Sequence, residues 1–466
     1  MCSDLKYRKA TDMKSIFSRR LSAFLLAVLM ILSLSACGKK EIEPEPTPTP
    51  VVTPEPTPEP TPEPTPEPII GELLTDDDGD GIINYTFNYK GATVYAIITL
   101  DPSRVFVGTA QPEPVQWGNG LTLDVMAQQY GAVAGINAGG FKDANGAGSG
   151  WPPSGITYSR GVNFSVEECG TIAGITESNE LWVGYFGYSD CEKMDIRDAV
   201  TFGPALVKNG VKTPAEKLEQ GIGSRSAIGQ REDGAIVMMV VDGRQGYSIG
   251  ITMADAASLM ADKFGCINAS NMDGGNSSCM YYDGNAVNRS SNQAGGTRNL
   301  PDAWLVSALP EGYVKPESVP EYIVLPENSM GEVKEYVTEC DSVTAERMFS
   351  FVGEFLKAYY GYFGTSNADY YYPTLRQYVA EGSELKQIMD LALMDRTWVN
   401  TKSTEAQNVT LNGVYLNADG SFDIIVTSDV YEYSTHWNYE ALGSTRRITV
   451  IEAPDTTYGY LATAVY

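Results

Sequence analysis

Among 466 residues there is a single histidine, His436. That scarcity excludes a zinc site built on several imidazoles, and it excludes a Ser-His-Asp triad assembled within the first 400 residues. Basic residues are also in short supply: 33 Lys and Arg stand against 59 Asp and Glu, a formal charge of −26. A nucleic-acid partner held by phosphate neutralisation needs a basic face, so that class falls away. The chemistry is left to carboxylates, hydroxyls, amides and arginines. What is present reads as globular, with 43% hydrophobic and 20% charged residues. The length allows two or three domains. The 46 glycines and 28 tyrosines suggest many turns and a surface friendly to carbohydrate, although tyrosine is equally an ordinary strand and core residue.

The run from Leu21 to Leu34 is almost wholly apolar and follows Lys14, Arg19 and Arg20. Its 14 residues fall short of the roughly 20 a spanning helix needs and suit the apolar core of a signal peptide. It ends in Leu34-Ser35-Ala36-Cys37-Gly38, which resembles the lipobox of bacterial lipoproteins. The resemblance implies cleavage of residues 1–36, lipidation of Cys37 and an extracytoplasmic protein anchored to the membrane. Residues 37–70 form a Pro/Glu/Thr-rich spacer; Glu41 to Pro68 holds 12 of the 26 prolines. Proline fixes φ and lacks the amide donor, so this stretch is expected as an extended polyproline rod of about 3.1 Å per residue. Beyond the anchor the cysteines are Cys169, Cys191, Cys266, Cys279 and Cys340. Cys169 with Cys191 and Cys266 with Cys279 are the near pairs, and all five free is the alternative.

Residues 71–310 read as a β-rich domain, 311–340 as a proline-containing connector and 341–466 as a second, smaller α+β domain, so the fold class is α+β. Ile83 to Tyr89 and Thr93 to Leu100 alternate around Lys90-Gly91, a hairpin signal, and Ser226 to Gly229 with Ala235 to Val241 repeats it. Thr252 with Asp255 three residues on caps a helix that Gly265 ends. A weak echo links Thr122, Gly131 and Gly139-Gly140 to Thr252, Gly265 and Gly274-Gly275; chance explains it as readily as duplication. In the last part, helices from Val343 to Tyr359 and Leu385 to Met394 precede four strands. That order resembles the cone-shaped fold of nuclear-transport-factor-like domains. Asp76-x-Asp78-x-Asp80-Gly81 imitates the start of a calcium loop, but position 12 is Phe87 where a bidentate acid is needed. The expectation is a solvated acidic turn, with no cofactor and no metal.

Four segments concentrate polar groups beside glycines at the ends of apolar runs: Gly135 to Phe141, Ser224 to Gly229, Val240 to Arg244 and Asn271 to Ser278, followed by Asn288-Arg289 and Arg298. In this order they resemble the phosphodiester glycosidase family, over roughly residues 85–308. One departure is Ala138, which separates Asn137 from the glycine pair. The resemblance implies cleavage of a sugar-1-phosphodiester on the sugar side, leaving a phosphomonoester.

The residue types suit that reaction. A phosphodiester leaves as a stable anion, so strong general-acid help matters less than cations that receive the phosphate. Arg225, Arg244 and Arg298 are the candidates, with Gly139, Gly140, Gly274 and Gly275 allowing close approach or an anion nest. Asp273 and Asp242 are the expected catalytic carboxylates. Asn137, Ser277, Ser278 and Asn288 are expected on sugar hydroxyls or phosphate oxygens. Asp-Gly is also a common turn pair, and Arg225 as a buried partner of an aspartate is the structural alternative. A non-catalytic surface lipoprotein that binds a glycan or polymer is the competing function. Oligomeric state is not legible.

Overall fold

The computed structural model describes residues 71–143, 148–164, 169–218, 220–291, 297–326, 335–336, 342–365, 368–394, 401–417, 419–434 and 438–466. The signal peptide, Cys37, the proline spacer, Cys340 and His436 lie outside them. No helix among the described residues is long and apolar enough to cross a membrane.

Ile69–Tyr466 forms one compact unit. Its first part is built on a seven-stranded antiparallel sheet, ordered Val211–Lys212, Ala205–Lys208, Cys266–Met272, Arg225–Arg231, Ile236–Val241, Ala92–Thr99, Ile82–Tyr89. Both sequence-read hairpins are there, in register Ile82↔Thr99 through Tyr89↔Ala92 and Arg225↔Val241 through Gln230↔Ile236. Side chains alternate across the strands, so each strand feeds two cores. Val237, Met239 and Val241 face the helical layer with Met253, Ala256 and Met260. Ile236, Met238 and Val240 face the opposite core, where Ile136, Trp304, Ile175 and Val200 arrive from two further sheets. One of these runs Asn285–Ala286, Met280–Tyr282, Ala132–Asn137, Asp302–Ser307, Val105–Thr109. The other contains Thr157–Ser159, Ile196–Thr201, Cys169–Thr176 and Leu181–Gly187.

The sequence echo has a structural counterpart. Thr122 and Thr252 both stand at helix N-caps, and Thr252 forms the reciprocal capping box with Asp255. Gly131 and Gly265 both take left-handed φ, 62° and 67°, which a side chain would resist. The strands that follow, Ala132–Asn137 and Cys266–Met272, bring their C-terminal ends together: the Asp273 amide donates to the Ala138 carbonyl at 2.9 Å.

The last part packs helices Ser342–Phe363, Ala368–Arg376 and Glu384–Met394 against an antiparallel sheet of Thr401–Leu416, Phe422–Ser434, Asn438–Glu452 and Tyr460–Val465, with Glu335–Tyr336 at its edge. Phe351, Phe355, Tyr359, Ile424, Val426 and Ile448 make its core. The middle helix escapes a sequence reading because Pro373 sits inside it. The near-pair disulfides do not form: Cys191, Cys266 and Cys279 are buried free thiols. Burial pushes the Cys191 thiol up to about 11, so it behaves as a small core residue.

Candidate active site

Strand register explains how segments 17 and 31 residues apart meet. Arg225 opens its strand opposite Val241, and Ser226 lies opposite Met272. Arg225, Asp242 and Asp273 therefore leave three neighbouring strands at the same sheet end. A cavity of about 930 Å³ opens there, lined by Arg225, Arg244, Arg298, Asp143, Asp273, Ser277, Gly140, Gly274 and Gly275.

Three guanidiniums face this space. Arg225 donates from Nε to the Ile251 carbonyl at 3.3 Å, from Nη1 to Gln220 Oε1 at 3.3 Å and from Nη2 to the Gly221 carbonyl. Arg244, at φ 59°, lies over Gly275, where an added β-carbon would sit 3.0 Å from Nη1. Arg298 pairs with Asp143 at 2.7 Å and stacks 4.6 Å from the Phe141 ring.

Asp273 is the carboxylate on the cavity wall. Burial pushes its pKa up to about 6, against the Ser277 hydroxyl, the Arg298 charge and the Gly274 amide, which favour the ionised form. Asn137, fully buried, holds this turn from behind: its Nδ2 donates to the Asp273 carbonyl at 2.6 Å, and its Oδ1 accepts from Ser226 and from the Cys279 amide.

Several expected contacts are internal instead. Asp242, 1% exposed, does not line the cavity. Its Oδ2 accepts from Tyr247 at 2.7 Å, Tyr95 at 3.3 Å and the Arg289 amide at 3.4 Å, and its Oδ1 from Asn288 at 2.8 Å. Four donors surround this sealed carboxylate, which takes it off the cavity lining that Asp273 shares. Asn288 is spent on that carboxylate and on the Met280 amide. Ser278 is buried away from the cavity. Asn137 is a brace rather than a ligand to sugar. Gly139 gives its amide to Asp302 at 2.6 Å, and a β-carbon there would come within 2.9 Å of the same oxygen. The glycine pair offers no open nest: the Gly275 amide donates to the Ser224 carbonyl at 3.1 Å, and the Gly274 amide to Asp273.

Asp302 escaped the sequence reading. It is fully buried behind the wall, accepts from Thr157 at 2.6 Å, and is pushed up to about 6 by burial, with the Asp273 charge adding to the rise. The only sequence signal is an acid opening an otherwise apolar strand. Asn271 opens the fourth polar segment, where the sequence assigns it no role. It lines the cavity, and its buried Oδ1 has no hydrogen-bond partner among the described residues. Asp76, Asp78 and Asp80 carry the only group of three candidate metal-ligating side chains among the described residues, with oxygens within 4.8 Å of one another. Those oxygens already accept local amides from Gly79, Gly81, Asp80 and Ile82, as an acidic turn does.

Residues 130–307 match the family model described as phosphodiester glycosidase. An uncharacterized SPbeta prophage-derived protein of Bacillus subtilis, YomE, is 29% identical over 202 residues, covering 41% of this chain and 29% of that protein. The chain thus matches less than a third of that relative's length. Among solved structures, the auto-inhibited catalytic domain of zebrafish N-acetylglucosamine-1-phosphodiester alpha-N-acetylglucosaminidase aligns with a TM-score of 0.43 at 17% identity, over 51% of this chain and 88% of that one. A hypothetical protein from Synechocystis aligns with a TM-score of 0.38 at 16% identity, over 50% and 64%. The cavity-lining residues from Gly140 to Arg298 all fall within residues 130–307, the stretch of this chain that is similar to phosphodiester glycosidases.

Proposed function

We propose that this chain hydrolyses a sugar-1-phosphodiester of a glycan or glycopolymer, outside the cytoplasm, while anchored through Cys37. The carrying observation is the pairing on one wall of three guanidiniums with one raised-pKa carboxylate. The phosphodiester lies against Arg225, Arg244 and Arg298. The bond between the anomeric carbon and the phosphate oxygen breaks, and the electron pair leaves with the phosphate, where the guanidiniums stabilise it. Asp273 attacks the anomeric carbon or takes a proton from water that does, with Ser277 fixing its orientation. Asn271 Oδ1 is an acceptor awaiting a donor, as a sugar hydroxyl is.

Incubation with a synthetic sugar-1-phosphodiester should release free sugar and a phosphomonoester. Saturable binding without turnover would instead favour a non-catalytic glycan-binding lipoprotein. A base or nucleophile must be ionised, so kcat/KM should rise about tenfold per pH unit up to pH about 6, the pKa of Asp273, and level off above it. A rate that falls above pH 6 would make Asp273 a proton donor and overturn its assignment here. For the anchor, Cys37→Ser should release the protein from membranes or block its processing; a variant bound at wild-type levels rules the lipid anchor out.

A further inference from the structure

The two parts of the compact unit meet along a seam. The segment that follows Asp242 leaves the glycosidase sheet and inserts Tyr247 and Ile249 into the apolar core of the C-terminal part, among Tyr359, Val426 and Val430. Its backbone is gripped from both sides. Glu432, fully buried on the Phe422–Ser434 strand, accepts the Gly246 and Tyr247 amides and pairs with Arg289 at 3.0 Å. Arg446, 3% exposed on the neighbouring Asn438–Glu452 strand, donates to the Tyr247 carbonyl. Gly246 is required by this approach: a β-carbon would lie 2.4 Å from Thr404 Oγ1 and 2.7 Å from Glu432 Oε1. Two residues before that grip stands Arg244 on the cavity wall, and the Tyr247 hydroxyl reaches back to Asp242 at 2.7 Å.

From this geometry we propose that the C-terminal domain is a clamp for the anion site, with Glu432 and Arg446 as positioning residues that hold the Gly243–Ile249 segment so that Arg244 stays on the cavity wall. The clamp rests on the proposed function only for what the anion is. The chemistry behind it is simple. Arg244 stands on a segment with glycines on both sides, Gly243 and Gly246, and a buried carboxylate on two consecutive amides removes that segment's freedom. The C-terminal domain is then part of the site without touching substrate.

The test uses the whole chain and inorganic phosphate as probe, with Glu432→Ala, the milder Glu432→Gln, Gly246→Ala and Arg244→Ala. Phosphate binding by calorimetry should weaken about tenfold in Glu432→Ala and Gly246→Ala. Adding Glu432→Ala to Arg244→Ala should cost nothing more, because the first acts through the second. Hydrogen exchange of the peptide spanning residues 243–249 should speed up in Glu432→Ala, while the strand Arg225–Arg231 keeps its protection. Glu432→Gln retains an acceptor for the amides and should fall between. Losses that add fully in the double variant, or unchanged exchange in residues 243–249, overturn the clamp. If the wild-type chain binds no phosphate, the sugar-phosphodiester reading fails, and the exchange result alone decides the clamp.

Discussion

Asp273→Asn should lower kcat/KM by about 10²–10⁴-fold on a sugar-1-phosphodiester and by a similar factor on an activated aryl glycoside, if the cavity accepts one. A base or nucleophile serves either leaving group, and the amide can do neither job. The same variant should be more stable than wild type at neutral pH. The folded-state pKa of Asp273 stands at about 6 against an ordinary 3.8, so the folded protein holds a proton that the unfolded chain has already lost between those values. Ionisation therefore works against folding as pH rises through that window. The isosteric amide removes a cost on the order of 1–3 kcal/mol, reduced to the extent that the group opens onto the cavity. The gain should be present above pH 6 and vanish below about pH 4. Lost activity with gained stability marks a residue kept for chemistry.

Asp242→Ala should do the reverse. The hydroxyls of Tyr247 and Tyr95, the Asn288 amide and the Arg289 backbone N–H all end on this sealed carboxylate. Truncation removes a shared acceptor from all four at once, and a broken buried network of this kind costs about 3 kcal/mol or more. Urea denaturation should show the midpoint falling in Asp242→Ala and rising in Asp273→Asn at pH 7. A stable, inactive Asp242→Ala would return that residue to the catalytic pair.

The contrast between the two aspartates shows where the sequence is legible and where it is not. Strand ends announce themselves by alternation and by turn residues. The hairpins around Lys90-Gly91 and Glu232-Asp233-Gly234, the Thr252 cap and the arginines were readable for that reason. Whether an acid at a strand end points into a cavity or back into the protein depends on the next loop. The loop after Asp242 turns Tyr247 onto it, whereas the one after Asp273 is a tight turn, Gly275–Ser277, that leaves the carboxylate on the wall. Asp302 was illegible because its partners, Gly139 and Thr157, come from segments 163 and 145 residues away. The grip of Glu432 on the Gly246 and Tyr247 amides has no motif either. It depends on Glu432 lying buried on the central strand of its sheet, which otherwise reads as an ordinary alternation of polar and apolar residues.

The central claim is that the arginine wall receives a phosphate leaving group. Its most direct test is kcat/KM for Arg225→Ala on two substrates, a sugar-1-phosphodiester and an activated aryl glycoside. Only the first develops charge opposite the guanidinium. The variant should lose roughly 10²–10³-fold on the phosphodiester, on the order of 3 kcal/mol for one transition-state donor, and far less on the aryl glycoside. An equal loss on both substrates would make Arg225 a structural residue and contradict the account of how this site handles phosphate.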